Sequence, residues 1–172
     1  MKLHEDEDIL GSTTLLYGEP KTGKTELAGR LAEYFKIIWF DLENGSRTLR
    51  TRIPKAYHPN IELIKIPDTR TNPVGINTLL KVYTGAPVQI CNIHGLIGCV
   101  SCAKIQGGTT RVCLNELNKE EHLVVCDGLS QLTDSAYSQI SGGDPTKKFE
   151  WDDWLKLNQL LAMVLSDRKS VV

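Results

Sequence analysis

The sequence predicts an α/β fold, a three-layer domain with a mainly parallel sheet, and three stretches carry that prediction. Thr13-Thr14-Leu15-Leu16-Tyr17, Ile37-Ile38-Trp39-Phe40 and the run from Glu121 to Asp127 are short and largely apolar, as expected of strands covered on both faces. The first and third lead through a turn into a helical pattern, and alternation of strand and helix is the mark of parallel units.

The first strand runs into Gly18-Glu19-Pro20-Lys21-Thr22-Gly23-Lys24-Thr25, which fits G-x-x-x-x-G-K-[ST] at every specified position. Glycines there let the backbone turn its N–H groups toward phosphate oxygens. Lys24 reaches the β and γ phosphates, Thr25 offers a hydroxyl to Mg²⁺, and the helix that follows adds the positive end of its dipole. That helix is predicted from about Gly23 to Phe35, with Leu27, Ala28, Leu31, Ala32 and Phe35 on one face. Strand, glycine loop and helix together point to a nucleoside triphosphate bound with Mg²⁺.

The second strand ends in Asp41-Leu42-Glu43-Asn44-Gly45, two carboxylates at the sheet edge where open α/β folds bind ligands. Helix capping is the structural alternative for them. Arg47, Arg50, Arg52 and Lys55 follow as a basic run, a solvated face with phosphate binding as the alternative. Ile61 to Ile66 predicts another strand, and Val74 to Tyr83 a helix. The strand ending at Asp127 places an aspartate where a Mg²⁺ shell needs one, the Walker B role. A helix is predicted from Leu129 to about Ile140. A last one carries Trp151, Trp154, Leu157, Leu161, Val164 and Leu165, with the tryptophan pair in the core.

The 172 residues suffice for one domain with a sizeable core. Twenty basic against 21 acidic residues leave a net charge of -1, so contact with DNA must come from local patches. The acidic start carries no secretory signal, and no run approaches a membrane span. These features predict a cytoplasmic protein with no membrane partner, whose cysteines are thiols or metal ligands rather than disulfides.

From Pro87 to about Cys113 periodicity is lost, and four of the five cysteines gather there. Cys91-x₂-His94-x₄-Cys99-x₂-Cys102 offers ligands in two close pairs, the spacing of a structural, closed Zn²⁺ site. The segment is poor in core residues, so metal binding supplies its folding energy. Cys113 is a substitute ligand, and unliganded buried cysteines are the alternative.

With these residues in place the chain resembles a RecA-superfamily P-loop NTPase, most of all the phage-encoded nucleotide-binding proteins of the AAA type that include single-strand-annealing recombinases. The likeness rests on Leu15 to Thr25, Trp39 to Gly45 and Val124 to Leu132. It implies an ATPase of DNA recombination, annealing or replication, with Glu43 activating the attacking water and Lys24 and Asp127 completing the catalytic set. It also implies a homo-oligomer and single-stranded DNA as partner, with Lys147-Lys148-Phe149 the better contact. RecA-like cores continue into a further strand that senses the γ-phosphate. This chain reaches only Ser170-Val171-Val172 where that strand would begin, which implies truncation at the C-terminus. A small-molecule or nucleotide kinase, or a non-hydrolysing nucleotide-binding module, would share the opening strand, loop and helix.

Overall fold

The computed structural model describes residues 14–68, 72–118 and 120–165. It is a mixed α/β domain whose elements in chain order are α1 (Lys24–Arg30), β1 (Lys36–Asp41), α2 (Ser46–Arg52), β2 (Ile61–Lys65), α3 (Val74–Val82), β3 (Val88–Cys91), α4 (Val100–Ala103), β4 (Thr109–Val112), β5 (His122–Asp127), α5 (Leu129–Ser141) and α6 (Trp151–Leu165). Short 3₁₀ turns occupy Leu31–Glu33, Lys55–Asn60 and Leu114–Glu116.

Three strands form a parallel sheet in the order β2-β1-β5. β1 is central, and every residue from Ile37 to Asp41 is buried. Because side chains alternate along a strand, Ile37 and Trp39 face Ala28, Ala32, Leu49 and Ile53 of the α1–α2 side. Ile38 and Phe40 face the other side, where α3, α5 and α6 pack on one another and bury Leu79, Leu132 and Leu157. Helices therefore cover both faces of the sheet. The segment from β3 to β4 is a separate antiparallel hairpin, and its Ile90 and Val112 enter the same core as Phe40 and Ile64.

Three expectations are corrected. Residues 14–17 form no strand: Leu15, Leu16 and Tyr17 are exposed at 69%, 42% and 95%, and Thr13 lies outside the described residues. A strand needs a neighbour to complete its ladder. Among the described residues β5 pairs with β1 alone, and no ladder reaches the segment. The first helix is shorter than predicted, giving way to a 3₁₀ turn after Arg30, with Leu27 and Leu31 exposed while Ala28 and Ala32 meet the sheet.

The tryptophan pair, finally, is not core. Trp151 is 82% exposed and Trp154 50%. The buried stripe of α6 runs through Asp153, Leu157 and Val164, a phase that turns both indoles outward. Leu129 to Ile140 is helical as predicted, within α5. Ser170, Val171 and Val172 lie outside the described residues.

Candidate functional site

The carboxyl edge of the sheet gathers the residues singled out in the sequence. The parallel register sets Asp41 at the end of β1 beside Asp127 at the end of β5. Their carboxylates diverge. Asp41 is buried and turns back on its own loop, accepting the N–H groups of Gly45 at 2.7 Å and Ser46 at 3.1 Å. It therefore anchors the start of α2, the capping role that was the alternative reading for a carboxylate here. Asp127 faces the glycine loop, where Thr25 Oγ1 donates to its Oδ2 at 3.3 Å and Oδ1 at 3.4 Å from 102 positions away in the chain.

The loop is closed around Lys24, whose Nζ donates to the carbonyls of Gly18 and Glu19, each at 2.8 Å. Thr22 Oγ1 donates to the Glu19 carbonyl at 2.8 Å, while Lys21 and Gly23 take left-handed backbone at φ 68° and 92°. Glu19, Pro20, Lys21, Thr22 and Gly23 are all exposed.

Glu43 is exposed on the loop after β1 and stands beside Asp127's own loop: a β-carbon on Gly128 would lie 2.6 Å from Glu43 Cγ. Gly128 also holds φ +116°, which L side chains rarely adopt. Burial pushes the Asp127 carboxyl up to about 6, and the negative charges of Asp41 and Glu43 add to the rise, against the Thr25 hydroxyl and Lys24. A carboxylate held in that state gains from a cation beside it. The hydroxyl and carboxylate oxygens of Thr25 and Asp127 are the hard donors that Mg²⁺ takes.

The second cluster lies in the β3–β4 insertion. One ligand atom from each of Cys91, His94, Cys99 and Cys102 lies within 4.8 Å of the others, so the group could hold a metal ion. His94 Nδ1 is 3.6 Å from Cys91 Sγ, 3.7 Å from Cys99 Sγ and 3.5 Å from Cys102 Sγ. A tetrahedron with Zn–S and Zn–N bonds of ordinary length has an N···S edge of about 3.6 Å. The three N···S distances thus match those of a metal-bound set.

Cys91 ends β3, and the His94 N–H donates to its Sγ at 3.2 Å. Burial opposes ionisation of Cys91, but hydrogen bonds from Leu96 and His94 prevail and bring the thiol down to about 6, toward the thiolate that binds metal. Cys99 sits at the start of α4 and Cys102 within it, buried. The predicted substitute ligand is corrected: Cys113 is buried elsewhere and donates its S–H to the Gly85 carbonyl at 3.3 Å.

The cluster is built into the domain. Gly95, between the two ligand pairs, lies so close to Ile66 just beyond β2 that a β-carbon would come within 2.8 Å of Ile66 Cα. Its carbonyl accepts a buried 2.7 Å hydrogen bond from Thr78 of α3.

The basic candidates are disposed differently. Arg47, Arg50 and Arg52 are exposed along α2. Lys147 Nζ donates to the Ile140 carbonyl and to Asp153, both at 3.1 Å, and Phe149 stacks on Tyr137 at 4.1 Å. Phe149 is thus engaged within the protein, and of the predicted trio only Lys148 is freely exposed. Sequence reasoning missed the place of Gly45 against Asp127 at this edge. A glycine after Asp-x-Glu-Asn was visible, but nothing in the sequence says what it touches. Among the described residues no helix is long and apolar enough to cross a membrane. The chain matches no family model, no curated protein and no solved structure.

Proposed function

We propose that this protein binds ATP with Mg²⁺ in the glycine loop and hydrolyses it, and that a structural Zn²⁺ in the Cys/His cluster holds the β3–β4 insertion in place. The observation that carries the nucleotide reading is the contact between Thr25 and Asp127. It joins the end of a G-x-x-x-x-G-K-T loop to an aspartate at the tip of a parallel strand, at the edge where such sheets take ligands. Lys24 would exchange its two carbonyl contacts for phosphate oxygens, and Thr25 and Asp127 would hold Mg²⁺. The cation supplies charge neutralisation at the β and γ phosphates. Glu43 would orient and deprotonate the attacking water. Action on single-stranded DNA in recombination, annealing or replication, within a homo-oligomer of phage origin, extends this reading through the RecA-like resemblance alone.

Lys24→Ala tests the binding step. A charged hydrogen bond contributes roughly 1.5–3 kcal/mol, so ATP affinity should fall about 10–100-fold, and turnover with it. Calorimetric titration with ATP measures the first and phosphate release the second; unchanged affinity would remove the loop from the site. A phosphate acceptor consumed in step with ATP would favour the kinase alternative instead.

Acidity tests the cation ligand. The Asp127 carboxyl is raised, so its charged form is the one disfavoured in the free protein. Mg²⁺ binds that charged form. Mg²⁺-supported ATP binding should therefore hold at pH 7.5 and weaken as pH falls through about 6, with Asp127→Asn abolishing the dependence. A profile flat from pH 7.5 to 5 would exclude Asp127 as the ligand.

A further inference from the structure

We infer that Gly45 is a positioning residue for the divalent cation, because its missing side chain leaves the space into which the Asp127 carboxylate turns toward Thr25. The inference rests on the proposed nucleotide reading and deepens it. A β-carbon built on Gly45 would lie 2.6 Å from Asp127 Oδ2 and 3.6 Å from Thr25 Cγ2, the two side chains assigned to the cation. Real β-carbons essentially never show a contact as short as the first, and the atom met is the tip of the half-buried Asp127 side chain, so a methyl at position 45 is accommodated by turning that carboxylate away from its present place.

Backbone conformation does not explain the glycine. Gly45 has φ -70° and ψ -6°, ordinary right-handed values that any residue adopts. As the residue preceding α2 it makes no side-chain cap. Serine, threonine, asparagine or aspartate would serve that helix at least as well. What remains is space, and the space is shared with Asp127 and Thr25.

The position of Gly45 is itself held. Asp41, buried at the end of β1, accepts the Gly45 N–H at 2.7 Å and the Ser46 N–H at 3.1 Å. The two loops also meet a second time where Gly128 abuts Glu43. The backbone from Asp41 to Ser46 therefore forms a wall behind the Asp127 carboxylate, anchored by Asp41 and thinned at Gly45. A group that orients a metal ligand in this way typically contributes about 10–100-fold to metal affinity.

The test is ATP binding to the full chain, titrated with Mg²⁺, for the parent, Gly45→Ala and Asp41→Asn. Gly45→Ala should raise the Mg²⁺ concentration for half-maximal ATP binding by about tenfold or more. Its affinity for ATP in EDTA should stay near parental, since the methyl meets only the two side chains assigned to the cation, and its melt should stay cooperative because alanine adopts these backbone angles. Asp41→Asn leaves the space open but loosens the anchors, and should shift the Mg²⁺ requirement the same way. Parental Mg²⁺ dependence in both variants would overturn the inference while leaving the nucleotide reading intact. A parent that binds ATP without regard to Mg²⁺, or not at all, would overturn both.

Discussion

Stripping the metal should unfold the whole domain rather than only the insertion. The ligands are not appended on a tether. Cys91 and Cys102 are buried, Gly95 lies on the backbone beyond β2 and is bonded to α3, and Ile90 and Val112 share one core with Phe40, Ile64 and Leu79. Structural zinc contributes on the order of 10 kcal/mol or more to folding in small zinc domains. That is comparable with the roughly 5–15 kcal/mol by which whole domains are stable. Without metal, only weak sulfur–imidazole hydrogen bonds hold three cysteines around His94 at 3.5–3.7 Å.

Cys102→Ser should therefore lose the metal and abolish a cooperative melting transition. Cys113→Ala should keep one metal per chain and shift melting only as a small buried substitution does, since Cys113 stands outside the cluster. Elemental analysis beside thermal melting reads both. Full metal content in Cys102→Ser, or an unchanged melt after chelation, would reduce the cluster to packed thiols.

Where the sequence was legible, local pattern was enough. Ile37 to Phe40 is apolar throughout because β1 is central and covered twice, and Val74 to Tyr83 has helical spacing because one face of α3 meets the core. The Cys/His cluster that could hold a metal was legible because knuckle spacing is itself local. What escaped depends on neighbours far along the chain. The run at residues 14–17 is as apolar as a buried strand, yet a ladder needs a second strand beside it, and apolar content does not supply one. Trp151 and Trp154 fit a helical period as well as Leu157 does; the phase of the buried stripe was settled by α3 and α5, against which α6 packs. Asp41 and Glu43 sit two positions apart at one strand end, and only the structure separates a carboxylate bound to its own loop from an exposed one beside Asp127.

That separation determines the second large effect expected. Glu43→Gln should leave ATP and Mg²⁺ bound with nearly parental affinity while hydrolysis falls about 10²–10⁴-fold, the usual contribution of a positioned general base. Glutamine keeps the length and shape that pack beside Gly128 and removes the basicity. Neither Lys24 nor Thr25 donates a hydrogen bond to Glu43, so the binding contacts should survive. A second consequence fixes the position of Glu43 independently of turnover. Its negative charge is one of the causes that raise Asp127, after burial and Asp41. Neutralising it should lower the Asp127 carboxyl, so Mg²⁺-supported binding should persist to a lower pH in Glu43→Gln than in the parent. Loss of turnover together with that acid shift would place Glu43 at both the water and the cation. Parental turnover in the variant would take Glu43 out of the chemistry. A parent that binds ATP and Mg²⁺ but releases no phosphate would make this chain a nucleotide-binding module, with Glu43 visible only through the acid shift.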